Sequence, residues 1–324
     1  MGEFDLIARH FTRPVRRAAL GVGDDCALLA PRPGMQLAVT SDMLLEGRHF
    51  FPDVDPEALG HKALAVNLSD LAACGAEPLA FTLALALPEA DDAWLAAFAR
   101  GLLALAEQHG CELVGGDTTR GPLAICITAF GEVPAGQALL RSSAQVGDDL
   151  YVSGTLGDAR LALEALQGRI ALPEALLARA RQRLERPNPR VALGLRLRGL
   201  ASSAIDLSDG LAGDLGHVLR ASGVGAHLVA ERILELIAIK PYLSSADGQF
   251  ESDFLLQCAV SGGDDYELAF TAPPAARAAV TEAARQAATP VARIGQIEAA
   301  PGLRVVDAAG RALRQAFPSF DHFA

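Results

Sequence analysis

Apolar residues recur at helical spacing over residues 3–11, where Phe4, Ile7, Ala8 and Phe11 share one side. Residues 37–44 read instead as a strand that ends in polar residues. Helical spacing returns over 56–74, with Asp55 as N-cap and Gly75 as the stop. Residues 79–87 predict a buried strand, and Asp91-Asp92 opens a helix reaching about His109. Residues 111–114 and 123–133 predict two more strands around a Gly-rich turn. This order predicts an α+β half.

Pro, Gly, Ser and Gln accumulate over residues 134–149, and the domain boundary is placed there, giving domains 1–136 and 137–324. The second domain opens with a strand over 149–153 and a Gly154/Gly157 turn into a helix from Asp158. Arg186-Pro187-Asn188-Pro189 breaks the helical region, because each proline disfavours helix in the residue before it. Strands are expected over 203–207, 225–229, 266–271, 291–297 and 303–306, with helices between several of them and an exposed loop over 244–252.

Composition narrows the function. With 51% hydrophobic and 21% charged residues the chain is not of the disordered class. Its 39 acidic against 28 basic residues give a net charge of −11, a poor match to nucleic-acid phosphates. The cysteines Cys26, Cys74, Cys111, Cys126 and Cys258 form no CxxC, which argues against structural zinc and for a reducing compartment. The N-terminus has no basic and apolar export pattern, and Leu6 stands where a myristoylation signal needs Ser or Thr. The longest apolar run, 79–87, is far short of the ~20 residues that span a bilayer, so a cytoplasmic protein with no membrane partner is expected. The sequon Asn67-Leu68-Ser69 is read as accidental.

The chemistry is concentrated in aspartates beside glycines at the ends of apolar strands. They occur in Gly21-Val22-Gly23-Asp24-Asp25, Thr40-Ser41-Asp42, Asn67-Leu68-Ser69-Asp70, Gly115-Gly116-Asp117, Ile205-Asp206-Leu207-Ser208-Asp209-Gly210 and Gly262-Gly263-Asp264-Asp265. A carboxylate in such a place is costly unless its charge is compensated, and the chain has only two lysines, Lys62 and Lys240. Divalent cations are the expected compensation, and hard oxygen ligands with neighbouring hydroxyls suit Mg²⁺. Nearby glycines let backbone N–H groups approach phosphate oxygens. Any one Asp-Gly pair alone is an ordinary turn; Asp148-Asp149 is read as a turn and Asp91-Asp92 as a helix start. Recurrence at strand ends in both halves is what turns do not explain. No Walker A lysine loop and no protein-kinase signature occurs, so a nucleotide site would be dominated by metal.

In order along the chain, GVGDDCALL, TSDMLLEGRHF, KALAVNLSDLAACGAEP, VGGDTTRGP, LLRSSAQVGDDLYVSG, SAIDLSDGLAGDLGHV, SGGDDYELAF and the terminal FDHFA resemble thiamine-monophosphate kinase, of the aminoimidazole-ribonucleotide synthetase superfamily. The resemblance implies an N-terminal α+β domain that dimerises through its sheet and a C-terminal α/β domain. It implies ATP and thiamine monophosphate as substrates, thiamine diphosphate as product, and several Mg²⁺ ions. Asp25, Thr40, Ser41, Asp42, Asp70, Asp117, Asp206 and Asp209 match metal positions. Gly116, Asp117, Arg141, Ser208 and His109 match ATP contacts. His49, Asp264 and Phe320 match substrate contacts.

Three of these sites depart from the family. Thr40-Ser41 reverses the usual Ser-Thr order before the metal aspartate and keeps both hydroxyls. Asp264 stands where glutamate is usual, which retracts the carboxylate by one methylene. Phe320 stands where Tyr or Trp is common and keeps only the stacking face.

The acceptor is itself an anionic phosphate, so no general base and no covalent enzyme intermediate are expected. Cys26, with no activating His or Lys nearby in sequence, is read as a small buried residue rather than a nucleophile. Another enzyme of the same superfamily, or a non-catalytic nucleotide-binding scaffold, are the alternatives. A scaffold would be expected to lose metal aspartates, and none of the matched positions is lost.

Overall fold

The structure is a computed structural model and describes residues 3–243 and 250–317. Phe320 and the terminal FDHFA segment, like residues 244–249 of the expected loop, lie outside the described residues. The chain divides into two compact units, one of Met1–Leu71 with Ala76–Ala138, the other of Ala72–Gly75 with Leu139–Ala324.

The first unit runs α1 (Glu3–Leu6), β1 (Met35–Leu45), α2 (Pro56–Ala73), β2 (Glu77–Leu87), α3 (Asp92–His109), β3 (Glu112–Arg120) and β4 (Ala124–Pro134). Its sheet has the order β1-β4-β2-β3, with β2 and β3 parallel and the other pairs antiparallel. Asp55 accepts the amide of Glu57 at the start of α2, and Asp91 accepts those of Ala93 and Trp94 at the start of α3, so both acids work as caps. Gly75 and Gly110 end the two helices with positive φ. The helices cross backbone to backbone at Gly60 and Gly101. A Cβ on either would come within 2.0 Å of the Phe98 carbonyl oxygen or 1.8 Å of that of Glu57.

One expectation fails here. Gly115-Gly116-Asp117 is not a turn between strands but lies inside β3. The parallel register slips between Phe81 and Thr82, leaving Val114 as an extra residue, and then resumes with Leu83 opposite Gly116 and Ala84 opposite Asp117. Gly116 has φ 147°, and a Cβ there would lie 1.8 Å from the Leu83 carbonyl oxygen. Only glycine gives the sheet that path.

The second unit contains β5 (Asp149–Ser153), α4 (Asp158–Leu166), α5 (Glu174–Glu185), α6 (Val191–Leu197), β6 (Ser203–Asp206), α7 (Leu211–Ser222), β7 (Gly225–Val229), α8 (Ala230–Leu234), α9 (Ser252–Ser261), β8 (Leu268–Ala272), α10 (Arg277–Gln286), β9 (Val291–Glu298) and β10 (Gly302–Val306). Its sheet order is β10-β7-β9-β5-β8-β6, with β10 and β7 parallel and the remaining neighbours antiparallel. Leu150, Val152, Leu161, Ile205, Leu215, Leu228, Leu256 and Ile294 fill its core. The strand expected from Tyr266 begins at Leu268, because Asp264 and Tyr266 both take the left-handed conformation, φ 66° and 48°.

Candidate functional site

The predicted residues gather into separate groups within each unit. In the first unit, period-two alternation along β1 turns Thr40, Asp42 and the buried Leu44 toward the helix-covered face. There the Thr40 hydroxyl donates to Oδ2 of Asp70, in the last turn of α2. Asp42 Oδ2 is buried and has no hydrogen-bond partner. Burial, and then the nearby charge of Asp70, push the Asp42 carboxyl up to about 7. Two acids thus share a site with an uncompensated oxygen, an electrostatic deficit that a hard cation would relieve. Among the described residues no three acidic, histidine or cysteine side chains converge into a ready-made cation cage.

The same alternation sends Ser41 the other way, where its hydroxyl meets Thr128 Oγ1 at 3.0 Å and donates to the Ile127 carbonyl at 3.3 Å. That face of β1 also exposes Leu37, Val39, Met43 and Leu45. The period-two rule is readable in the sequence and already separates Ser41 from its two neighbours.

A cleft of about 630 Å³ brings together Gly23, Asp24 and Asp25 with Gly115, Gly116, Asp117 and Thr118. Ile7, Phe11, Leu113 and Val114 give it an apolar wall. Cys26, expected to be buried, is exposed beside Asp25. The loop turns outward there, so its side chains face the cleft and solvent rather than the core. Cys74 is exposed too, whereas Cys111 and Cys258 are buried and their thiols are pushed up by burial.

His49 accepts the Leu45 amide at Nδ1, 3.0 Å, which fixes its proton on Nε2. The buried Lys62 donates to the His49 carbonyl at 3.4 Å. His109 is not among the residues lining the cleft. It sits in the last turn of α3 with Nε2 buried and unpartnered, its pKa lowered by burial and by His61. Asn67 is fully buried and donates to the Ala63 carbonyl, so the sequon is inaccessible.

In the second unit, Asp206 closes β6 in a buried position and Ser208 and Asp209 follow in the turn to α7. Asp214, one turn into α7, reaches back to accept the Asp209 amide at 3.0 Å. Burial pushes Asp214 up to about 7. The turn bearing Asp264 is stitched to the same segment. The Asp264 amide donates to the Ser208 carbonyl at 2.9 Å, and that of Tyr266 to Leu207 at 2.8 Å. Gly263 permits this approach, since a Cβ there would stand 2.5 Å from the Ser208 oxygen.

Beneath the turn, Glu267 is fully buried and receives Arg190 through Nε and Nη2, both at 2.6 Å, Arg183 at 2.7 Å and Ser153 at 2.6 Å. Asp265 is buried and accepts the Gly157 amide, and burial raises its pKa well above the ordinary value. Asp265 is therefore a structural acid rather than a member of the open acidic site. Arg141 lies in a short 3₁₀ turn whose carbonyl accepts the Ser222 hydroxyl at the end of α7, and its charge acts on Asp214.

Glu267 and its arginines escape a motif reading because they are 77 and 84 residues apart in sequence. For Asp214 a local signal exists, an acid in the first turn after Ser-Asp-Gly.

The assigned acids at turns also have structural duties. Asp149 is not a turn residue but is buried at the start of β5, paired with Arg277 and Arg293. Asp92 binds Arg9 and His10.

Two family patterns cover the chain. The N-terminal domain of AIR synthase related proteins matches residues 23–133, and the C-terminal domain matches residues 145–308. The chain is 47% identical to the thiamine-monophosphate kinase of Salmonella typhimurium and 46% identical to that of Escherichia coli K12. Each alignment spans 100% of this chain and 98% of the relative. Among solved structures, a thiamine-monophosphate kinase from Stenotrophomonas maltophilia K279a superposes with a TM-score of 0.82 at 47% identity, over 96% of both chains. The structure described as AaThiL complexed with AMPPCP and TMP gives 0.74 at 29% identity, over 91% of this chain and 89% of that one. Escherichia coli HypE, a hydrogenase maturation protein, gives 0.77 at 21% identity over 98% and 97%, a likeness of fold alone.

Proposed function

The chain belongs to the thiamine-monophosphate kinase family, and on that premise we propose that it moves the terminal phosphoryl group of ATP directly onto the phosphate of thiamine monophosphate, assisted by several Mg²⁺ ions. The observation that carries the metal part of the reading is the Asp42–Asp70 pair, with one buried carboxylate oxygen left unpartnered and Thr40 bonded to its neighbour. In this reading Asp25, Thr40, Asp42, Asp70 and Asp117, with Ser41 beside them on the strand, and Asp206 and Asp209 of the second unit hold the ions. Bound Mg²⁺ supplies charge neutralisation on the transferring and accepting phosphates.

The chain's own residues do the rest. Gly116 lets backbone approach the nucleotide phosphates, and Arg141 and Ser208 add donors to them. His49, its Nε2 bearing the proton, is a hydrogen-bond donor for the substrate. Asp264, fixed in a left-handed turn, presents a shorter carboxylate than the usual glutamate. The acceptor oxygen is already anionic, so alignment and charge neutralisation carry the rate, and no side chain is assigned to remove a proton. His109 and Phe320 remain the proposed aromatic contacts to ATP and substrate.

The reading includes a homodimer formed through the open sheet face. Val39 and Met43, 57% and 55% exposed, support it, because an apolar strip on an edge strand is normally covered. It also places the enzyme in the cytoplasm. Five free cysteines, two of them exposed, suit a reducing compartment, and no helix among the described residues is long and apolar enough to cross a membrane.

The test is ADP release from ATP and Mg²⁺ with and without thiamine monophosphate, with the product identified. Thiamine diphosphate formed in step with ADP is expected. Turnover with aminoimidazole precursors and none with thiamine monophosphate would overturn the reading.

A further inference from the structure

The acid-bearing loop of the cleft has almost no regular structure of its own. Between residues 12 and 34 the chain forms only isolated bridges, Leu20 with Leu28 and Val22 with Asp24. The neck is closed by the Leu28 amide donating to Leu20 at 3.0 Å and the Ala19 amide to Leu28 at 2.8 Å. Something else must fix where Asp25 stands relative to Gly116 and Asp117.

Upstream of the neck, one carboxylate gathers three successive backbone amides. Glu112 accepts Arg16 N at 2.6 Å, Arg17 N at 3.0 Å and Ala18 N at 3.0 Å. Glu112 is the first residue of β3, the strand that carries Gly116 and Asp117. Downstream, Glu132 on β4 accepts the Arg32 amide at 2.9 Å and its Nε at 2.6 Å. Arg17 ties the two stems, with Nη2 on Glu132 at 3.2 Å and Nη1 on the Pro78 carbonyl at 2.8 Å. Ala18, with Val15, Ala27 and Leu29, packs on Leu79, Ala80 and Val114 beneath.

The chemistry of Glu132 is telling. Its side chain is 1% exposed, and both arginines that pair with it come from the N-terminal segment. A buried ion pair of this kind adds little stability over apolar packing, so its use is to select one path for the chain. Glu112 works similarly, because three successive N–H groups donating to one carboxylate define the direction of the backbone, as a nest defines an anion.

We propose that Glu112 and Glu132 are positioning residues for the phosphate-transfer site, seating the two stems of the loop over residues 19–28 so that Asp25 is held across the cleft from Gly116 and Asp117. This rests on the reading of Asp25 as a cation ligand.

The test uses the full chain with Glu112→Gln, which keeps the shape but replaces one acceptor oxygen by a donor. Glu132→Gln provides a second route should the first variant fail to fold. Two readouts are taken: hydrogen exchange of the amides over 19–28 without metal or nucleotide, and the Mg²⁺ concentration for half-maximal ADP release. Both variants should exchange those amides about tenfold faster while α2 and α3 stay protected. Half-saturating Mg²⁺ should rise about tenfold with kcat at saturating Mg²⁺ kept within about twofold. Glu77, the first residue of β2, pairs with Arg32 at 2.6 Å and Arg17 at 3.5 Å with its side chain 40% exposed, and Glu77→Gln should change neither readout by more than about twofold. Wild-type exchange over 19–28 in either folded variant overturns the proposal, as does faster exchange with an unchanged Mg²⁺ requirement. Asp25→Asn separates the two ideas. If it leaves the Mg²⁺ requirement unchanged, the assignment of Asp25 fails, while the exchange data still judge the seating of the loop.

Discussion

Replacing Gly116 by alanine tests the strand geometry at the cleft. The new Cβ would stand 1.8 Å from the Leu83 carbonyl oxygen and 2.8 Å from the Leu83 nitrogen. Ordinary contact begins near 3.4 Å, so β2 and β3 would have to part by about 1.6 Å, a third of the ~4.8 Å between strands. Overpacking of this kind costs about 1–3 kcal/mol. The φ of 147°, open only to glycine, adds about 1–3 kcal/mol for a residue with a side chain. A loss of about 2–6 kcal/mol lowers the melting temperature of a unit this size by roughly 6–30 °C. The neighbouring Gly115→Ala is the internal control, because its Cβ would meet nothing closer than Thr82 Cγ2 at 3.9 Å. Thermal melts of the two variants beside wild type, with Mg·ATP titrated into each, read both effects. Gly116→Ala should melt far below Gly115→Ala and bind Mg·ATP more weakly. Equal melting of the two variants, with nucleotide binding intact in Gly116→Ala, would refute the argument.

Asp42→Asn and Asp70→Asn should each abolish turnover while circular dichroism and gel filtration stay normal; near-normal ADP release from both at limiting Mg²⁺ would sink the metal reading. Glu267→Gln strips the counter-charge from Arg183 and Arg190 and should cost the second unit about 3–5 kcal/mol in denaturant melts, a change below about 1 kcal/mol counting against it. Glu132 responds to pH. Burial alone would raise its pKa, but the Arg32 amide and guanidinium more than reverse this and hold it below the usual carboxylate range. Its stabilisation is therefore present above about pH 4.3 and lost as pH falls through the depressed folded value. Melting temperature should fall more steeply with acid in wild type than in Glu132→Gln, and parallel curves would contradict the sign.

Local signals carried much of the fold. The acids that cap α2 and α3 and the glycines that end them act within a few residues of their own position, and β5 runs over the residues expected of it. Gly115-Gly116-Asp117 misled because glycine marks close backbone approach as readily as a turn, and only the pairing with Leu83 distinguishes the two. Tyr266 misled because its left-handed φ goes with a hydrogen bond to Leu207, which lies just past the end of β6 and far away in sequence. For the site, the sequence supplied chemistry without faces. Asp25 and Asp117 do line one cleft, and Asp42 and Asp70 do form one pair. Ser41 turns away from its neighbours, Cys26 is exposed, and Asp265 is a buried anchor. The supporting shell of Glu112, Glu132, Asp214 and Glu267 was the least legible part. Three of these acids find partners 70 to 115 residues away, where no local pattern reaches.

The edge position of β1 also sets a timetable for synthesis. Among the described residues its sheet neighbour is β4, and the register pairs Met35 with Pro134 and Leu45 with Ala124. A ribosome adding about 5–20 residues per second needs roughly 5–18 s to travel from Leu45 to Pro134. Throughout that interval the strand bearing Thr40 and Asp42 has emerged without the strand that will pair with it, and its apolar side, Leu37, Val39, Met43 and Leu45, is still uncovered in the finished chain. One half of the acidic pair is thus translated early and locked late, and over that interval its apolar side is a surface that chaperones can bind.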